Sequence, residues 1–249
     1  MLSFPGLAGV SGLAHAITTR SGGVSAGPFA SLNLGPRTHD LPEAVTENRR
    51  RAAAALGFPA LLSPRQVHGA HVIEVRAADT EPGEADAVMT DQAGVLLGIL
   101  GADCPGVLLV DPRRRALALV HAGWRGIVAA VTPAAVKALA LRYGCAPGEL
   151  RAAIGPGISQ AAYEVGPDVA EALRASAPEA RACVVRGRAD RWQVDLPGLL
   201  ELQLRACGVP AAAIERSSHC THRDAALFFS HRRDGENAGR HALLAGWLR

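Results

Sequence analysis

Three apolar runs follow one another between residues 94 and 120, and each ends on residues with chemistry to offer. GVLLGIL climbs into Gly-Ala-Asp-Cys at 101–104, VLLVDP turns over through Arg113 to Arg115, and ALALV stops at His121, the first residue of HAGWRG. Short apolar runs bounded by glycine, proline and charged turns read as strands. Cys104 and His121 are thus expected at strand ends, where a rigid scaffold offers reactive side chains to a cleft. The glycines of HAGWRG let backbone and ligand approach closely.

The rest of the chain supplies helices and further strands around this centre. Residues 43–56 predict a helix ended by Gly57 and Pro59, packed on a sheet. Residues 65–76 alternate well enough for a strand or hairpin arm with His68 at its start. Residues 127–143 have helical spacing closed by Gly144, with Pro133 as an alternative helix start. Then come a strand at AAIG, a turn at Pro156-Gly157, a helix near 167–176, strands around CVVRG and WQVDL, and a helix over 196–207 broken by Gly208 and Pro210. A β-like segment, ALFFSHRRDG, and a short terminal strand or helix complete the chain. Helices and strands mix without a strict βαβ rhythm, so the expected class is α+β, not doubly wound. At 249 residues the chain can bury one full core, and a single domain over 1–249 is expected.

Composition narrows the function classes. Net charge is only +3, nearly all the basic residues are arginine with Lys137 the one lysine, and few aromatics interleave with them. That is not the footprint of a nucleic-acid binder. No run approaches the ~18 apolar residues of a membrane span, and the amino terminus lacks the pattern of a secretory signal. The five cysteines are odd in number and scattered, which argues against a disulfide framework. A cytoplasmic enzyme, not embedded in a membrane, is the expectation.

His68, in Gln-Val-His-Gly, joins Cys104 and His121 as a third candidate ligand. Two histidines and a cysteine make a zinc set of the catalytic kind, with a fourth position open for water or substrate. The spacing lacks a CxxC or HExxH signature, so a buried cysteine with two hydrogen-bonded histidines remains the alternative. His71 would point away from His68 if the strand alternation holds. His219-Cys220-Thr221-His222 is a weaker second metal candidate, and Cys145, Cys183 and Cys207 read as small hydrophobes.

Separated segments, in order, resemble the YfiH family, formerly called multicopper polyphenol oxidoreductase or laccase and now described as purine nucleoside phosphorylase. They are SLNLG (31–35), ENR (47–49), QVHG (66–69), ADAVMT (85–90), GADC (101–104), HAGWRG (121–126), IGPGI (154–158), YEVG (163–166) and FFSHRRDG (228–235), spanning nearly the whole chain. The resemblance implies a two-sheet α/β/β/α sandwich, with catalytic zinc on His68, Cys104 and His121. It also implies phosphorolysis of adenosine, guanosine, inosine and methylthioadenosine, together with adenosine deamination. The family usually has a variable residue between Cys and Pro-Val, whereas here Pro105 and Gly106 follow Cys104 directly. His231 replaces a tyrosine and Ala238 a threonine, changes that bear on substrate preference.

Phosphorolysis needs an oxyanion held beside the anomeric carbon, a task suited to the arginine fork. Arg49 and Arg125 are the first candidates, followed by Arg232, Arg233 and Arg240, with a surface ion pair the plain alternative for each. Asp103 and Glu164 are candidate proton shuttles, although Asp103 could simply orient a neighbour. Trp124 could line the nucleoside pocket or fill the core, and Asn33 could bond ribose or hold a turn. Purine nucleosides and phosphate are the expected partners of a monomer or homodimer. Copper could replace zinc at such a site. The competing functions are a copper-dependent phenol oxidase, for which no H-x-H pair is present, a metal-free Cys-His hydrolase or deamidase with Cys104 as nucleophile and His121 as base, and a nucleoside-sensing or partner-binding protein whose metal is structural.

Overall fold

The apolar runs become buried strands because both faces of the sheets they enter are covered, which favours continuous over alternating hydrophobicity. The structure, a computed structural model, describes residues 1–79 and 81–249. In chain order its elements are β1 (Leu13–Ile17), α1 (Pro42–Ala55), β2 (Leu61–Leu62), β3 (Val72–Glu74), β4 (Ala87–Thr90), β5 (Leu96–Gly101), β6 (Gly106–Asp111) and β7 (Ala116–His121). They continue with α2 (Trp124–Val128), α3 (Val131–Tyr143), β8 (Arg151–Ile154), β9 (Glu164–Val165), α4 (Pro167–Ser176), β10 (Val184–Arg186), β11 (Trp192–Val194), α5 (Leu196–Ala206), β12 (Ile214–Arg216), α6 (His231–Asp234) and β13 (His241–Trp247).

One sheet runs β12-β8-β6-β7-β4-β3, a second β1-β13-β5-β2, and a small third β10-β11-β9. The two large sheets enclose an apolar layer in which Leu108, Leu117 and Leu119 meet Leu97, Leu243 and Trp247. The outer face of the first sheet packs through Val107, Leu109 and Val120 on Ile127, Val136, Leu173 and Leu199 of α2 to α5. The outer face of the second packs through Leu61, Leu96 and Leu244 on Ala52 and Ala53 of α1. The class is α+β and the layering α/β/β/α, as the sequence leads one to expect. Each fully buried leucine contributes on the order of 2 kcal/mol. No helix among the described residues is long and apolar enough to cross a membrane.

Several local expectations need correction. Residues 65–71 are a loop, and only Val72–Glu74 are strand, because the backbone at 67 and 69 is bonded to a side chain instead of a neighbouring strand. His68 and His71 both lie in this loop, so strand alternation does not set their relative directions. The 127–143 helix is two helices, broken where Ala130 turns left-handed at φ 57°. Pro133 falls in the first turn of α3, where its missing N–H leaves no bond unmade. ALFFSHRRDG is not a strand: Phe228 and Phe229 are buried plugs, and Ser230 caps the short helix α6 by accepting from the N–H of Arg233. The terminal segment is β13, seven buried residues in the interior of the second sheet.

Candidate metal centre

The register of the first sheet assembles the site. At the end of β7, His121 stands opposite Gly106 of β6, and its N–H donates to the carbonyl of Asp86, just before β4, at 2.7 Å. Cys104 lies two residues before Gly106, on the loop that carries the chain from β5 in one sheet to β6 in the other. Strand β3 runs parallel to β4, and the N–H groups of Asp86 and Ala87 donate to the carbonyl of His71, drawing the loop that bears His68 to the same corner.

The ligand atoms of His68, Cys104 and His121 lie within 4.8 Å of one another, and among the described residues this is the one such group of three. The two imidazoles meet edge-on with centroids 4.8 Å apart. His68 and Asp103 both adopt left-handed backbone, at φ 60° and 93°, a conformation that costs a non-glycine residue roughly 1–3 kcal/mol and gathers at functional sites. A Cβ at Gly123 would come within 2.7 Å of Cys104 Sγ and 3.3 Å of His68 Nδ1, so the glycine of HAGWRG keeps the pocket between these ligands clear. A soft sulfur with two imidazoles suits zinc or copper, and the residues present fit a metal ion.

Asp86 organises the centre. It is fully buried; His121 Nδ1 donates to its Oδ1 at 2.8 Å, and Val67 and Gly69 donate their N–H groups to its Oδ2 at 3.1 and 2.6 Å. Burial opposes ionisation of both partners. Their hydrogen bond, with the backbone donors and Cys104, outweighs it, holding Asp86 below the usual carboxylate range and pushing His121 up to about 9. His68 is shifted down by burial and by the positive charges of His121, Arg125 and Arg240, which favours the neutral imidazole a metal needs. Gln66 fastens the same loop to the end of β5, donating to the carbonyl of Leu100 and accepting its N–H.

His68, Cys104 and His121 open into a cavity of about 380 Å³ that is also lined by Gly35, Arg37, Thr38, Gln66, His231 and Arg240. That volume lies within the range of small-molecule sites. His231, the departure from the family tyrosine, is thus in the wall, whereas Ala238 is buried. The Pro105-Gly106 departure leaves β6 fully paired with β7.

Other candidates fall elsewhere. Asn33 is buried, donating to Thr38 and Asp40 and accepting from the N–H groups of Gly35 and Arg240; it holds a turn, with no atom left for a ribose. Arg49 donates to Leu34, Ser63 and Leu61 and lines an adjoining cavity, not the one at His68, Cys104 and His121. Arg125 is exposed, stacked over Trp124 at 4.4 Å. The Asp103 carboxylate accepts from Thr221 Oγ1 and the N–H of Arg232, both at 2.6 Å, which ties two loops together. Glu164 is exposed on β9. His219 pairs with Asp224 and Cys220 with Ser159, so the second cluster is spent on packing the 217–224 loop. Sequence reasoning missed Asp86 and Gln66 as positioning groups, although both stand inside recognised motifs.

Comparison with known proteins gives the chain its relatives. A family described as multi-copper polyphenol oxidoreductase laccase matches residues 14–248. The purine nucleoside phosphorylase of Deinococcus radiodurans is 42% identical over 236 residues, covering 93% of this chain and 88% of that one. Purine nucleoside phosphorylase YlmD of Geobacillus stearothermophilus is 38% identical over 247 residues, with 94% and 90% covered. The crystal structure of that YlmD superposes with a TM-score of 0.92 at 37% identity, over 99% of this chain and 94% of the other. YfiH from Bacillus licheniformis gives 0.90 at 29%, over 95% and 93%. The chain belongs to the YfiH family, the one described as multi-copper polyphenol oxidoreductase laccase, whose relatives here include proteins named purine nucleoside phosphorylase.

Proposed function

We propose that this chain is a zinc-dependent purine nucleoside phosphorylase acting on adenosine, guanosine, inosine and methylthioadenosine, with adenosine deaminase activity. The observation that carries the reading is the cluster of His68, Cys104 and His121 at a cavity of about 380 Å³, in a chain whose relatives bear the phosphorylase name. These three residues would hold the ion, which when bound supplies Lewis acidity and a lowered pKa for an attached oxygen. Asp86 fixes the ring of His121 and so leaves its Nε2 for the metal. Asp103 acts as a positioning group through Thr221 and Arg232, since both its oxygens already accept hydrogen bonds.

Copper-dependent phenol oxidation, the activity in the family description, ranks lower. A multicopper site needs many histidines, and the described residues hold a single group of three ligands. The test is metal-quantified protein incubated with adenosine, with and without phosphate, following ribose 1-phosphate, adenine and inosine. Phosphate-dependent adenine lost in Cys104→Ala is expected, with inosine from the deaminase activity. Undiminished turnover in Cys104→Ala would sink the reading, and full activity in chelator-treated, metal-free protein would favour a Cys104-His121 hydrolase instead.

A further inference from the structure

Two arginines line the cavity without an acidic partner among the described residues, Arg37 at its exposed rim and Arg240 in its wall. Arg240 is half-buried just before β13 and lines the same cavity as His68, Cys104 and His121. Its Nη1 donates to the carbonyls of Ala238 and Gly239. Among the described residues it makes no ion pair, and no hydrogen bond uses its Nε or Nη2. A guanidinium withdrawn from water without a carboxylate is costly to keep. An anionic ligand would offset that cost.

Its position is not accidental side-chain placement. A Cβ at Gly35 would fall 2.7 Å from Arg240 Cγ, so glycine at that position makes room for the arginine stem. Asn33 accepts the Arg240 N–H at 2.8 Å, and Asn48 on α1 in turn donates to the carbonyl of Asn33. The SLNLG and ENR segments thus converge on fixing the backbone that carries Arg240. Arg37, two residues beyond SLNLG, lines the same cavity from its exposed side and likewise has no acidic partner among the described residues.

We propose that Arg240, assisted by Arg37 at the rim, forms an oxyanion subsite that seats inorganic phosphate beside the His68-Cys104-His121 cluster. The proposal rests on the phosphorylase reading for its choice of anion. In phosphorolysis a phosphate oxygen forms a bond to C1′ of the ribose as the C1′–N bond breaks. The electron pair of the broken bond leaves with the purine, which takes up a proton. Arg240 presents its free donors as a fork that binds two phosphate oxygens at once, and it lines the cavity into which His68, Cys104 and His121 open. Arg49 and Arg125, the stronger candidates in the sequence, are respectively bonded to protein carbonyls and a hydroxyl, and exposed over an indole.

The test titrates inorganic phosphate into the metal-loaded protein by calorimetry and measures KM for phosphate and for adenosine, in the wild type and in Arg240→Met, Arg240→Gln, Arg240→Lys and Arg37→Met. Arg240→Met should weaken phosphate at least about tenfold, as expected for losing a charge-assisted fork, with a much smaller change in KM for adenosine. Arg240→Lys should recover part of the loss, and Arg37→Met should cost less than Arg240→Met. A folded Arg240→Met with wild-type phosphate affinity overturns the subsite. Should Arg240→Met unfold, Arg240→Gln decides: wild-type phosphate affinity in that folded variant overturns the subsite, because an amide supplies neither the charge nor the fork. Arg240-dependent phosphate binding in a protein that makes no ribose 1-phosphate would sink the phosphorylase reading and leave the subsite standing. Ribose 1-phosphate formed with an unchanged phosphate KM in Arg240→Met would do the reverse.

Discussion

His121 Nδ1 donates to Asp86 Oδ1 at 2.8 Å, and the other oxygen of that carboxylate accepts the N–H groups of Val67 and Gly69 on either side of His68. One buried side chain therefore orients one candidate ligand through its ring and another through its backbone. Asp86→Asn keeps the shape but places an NH₂ against either the imidazole N–H or the two backbone donors. Its affinity for zinc, read by competition with a chromophoric chelator, should fall about 10- to 100-fold, the usual cost of losing such a partner. Unchanged affinity would remove Asp86 from the centre.

Gly123 makes a steric prediction. Alanine there would press its Cβ on Cys104 Sγ and His68 Nδ1. Metal affinity should drop by about tenfold or more while circular dichroism and thermal midpoint stay close to wild type. A Gly123→Ala protein that binds metal normally would show that the loop gives way.

Asp111, at the end of β6, accepts from the N–H groups of Arg113 and Arg114 and from the Arg114 guanidinium. Burial pushes its pKa up, but these donors prevail and hold it below the usual carboxylate value. A depressed folded pKa means stability present above the unfolded pKa and lost as pH falls through the folded one. Asp111→Asn should thus lose about 1 kcal/mol at pH 7, with the gap to wild type closing in acid as Asp111 itself protonates. Urea melts at neutral and acid pH measure it, and a gap independent of pH would contradict the assignment.

Ala130 sits between α2 and α3 at φ 57°, exposed to solvent. Glycine tolerates that conformation without the Cβ clash, so Ala130→Gly should stabilise the protein by about 1 kcal/mol, seen as a shifted urea midpoint at constant slope. Activity should not change.

Much of this architecture was legible along the chain. Helices α1, α4 and α5 carry local signals that residues close in sequence suffice to form: helical apolar spacing, Pro167 in the first turn of α4, and Gly57 and Gly208 just past the ends of α1 and α5. The runs ending at Cys104 and His121 were likewise clear, because strands covered on both faces must be apolar throughout. Residues 65–71 misled because their alternation imitates a strand, while the backbone partner they use is a carboxylate 17 to 19 residues away. Phe228 and Phe229 misled in the same way, being apolar for the sake of the core and not for a ladder.

What the chain determined by itself was the choice of His68, Cys104 and His121 as candidate ligands, which the structure brings together, and the class of the fold, since motif and periodicity are properties of neighbouring residues. Only the tertiary structure decided which carboxylate meets His121 and which arginines line the cavity. Those choices depend on register and on hydrogen bonds between residues 35 and 207 positions apart, Asp86 with His121 and Asn33 with Arg240. No local pattern records such pairings, because they exist only once the sheets have packed.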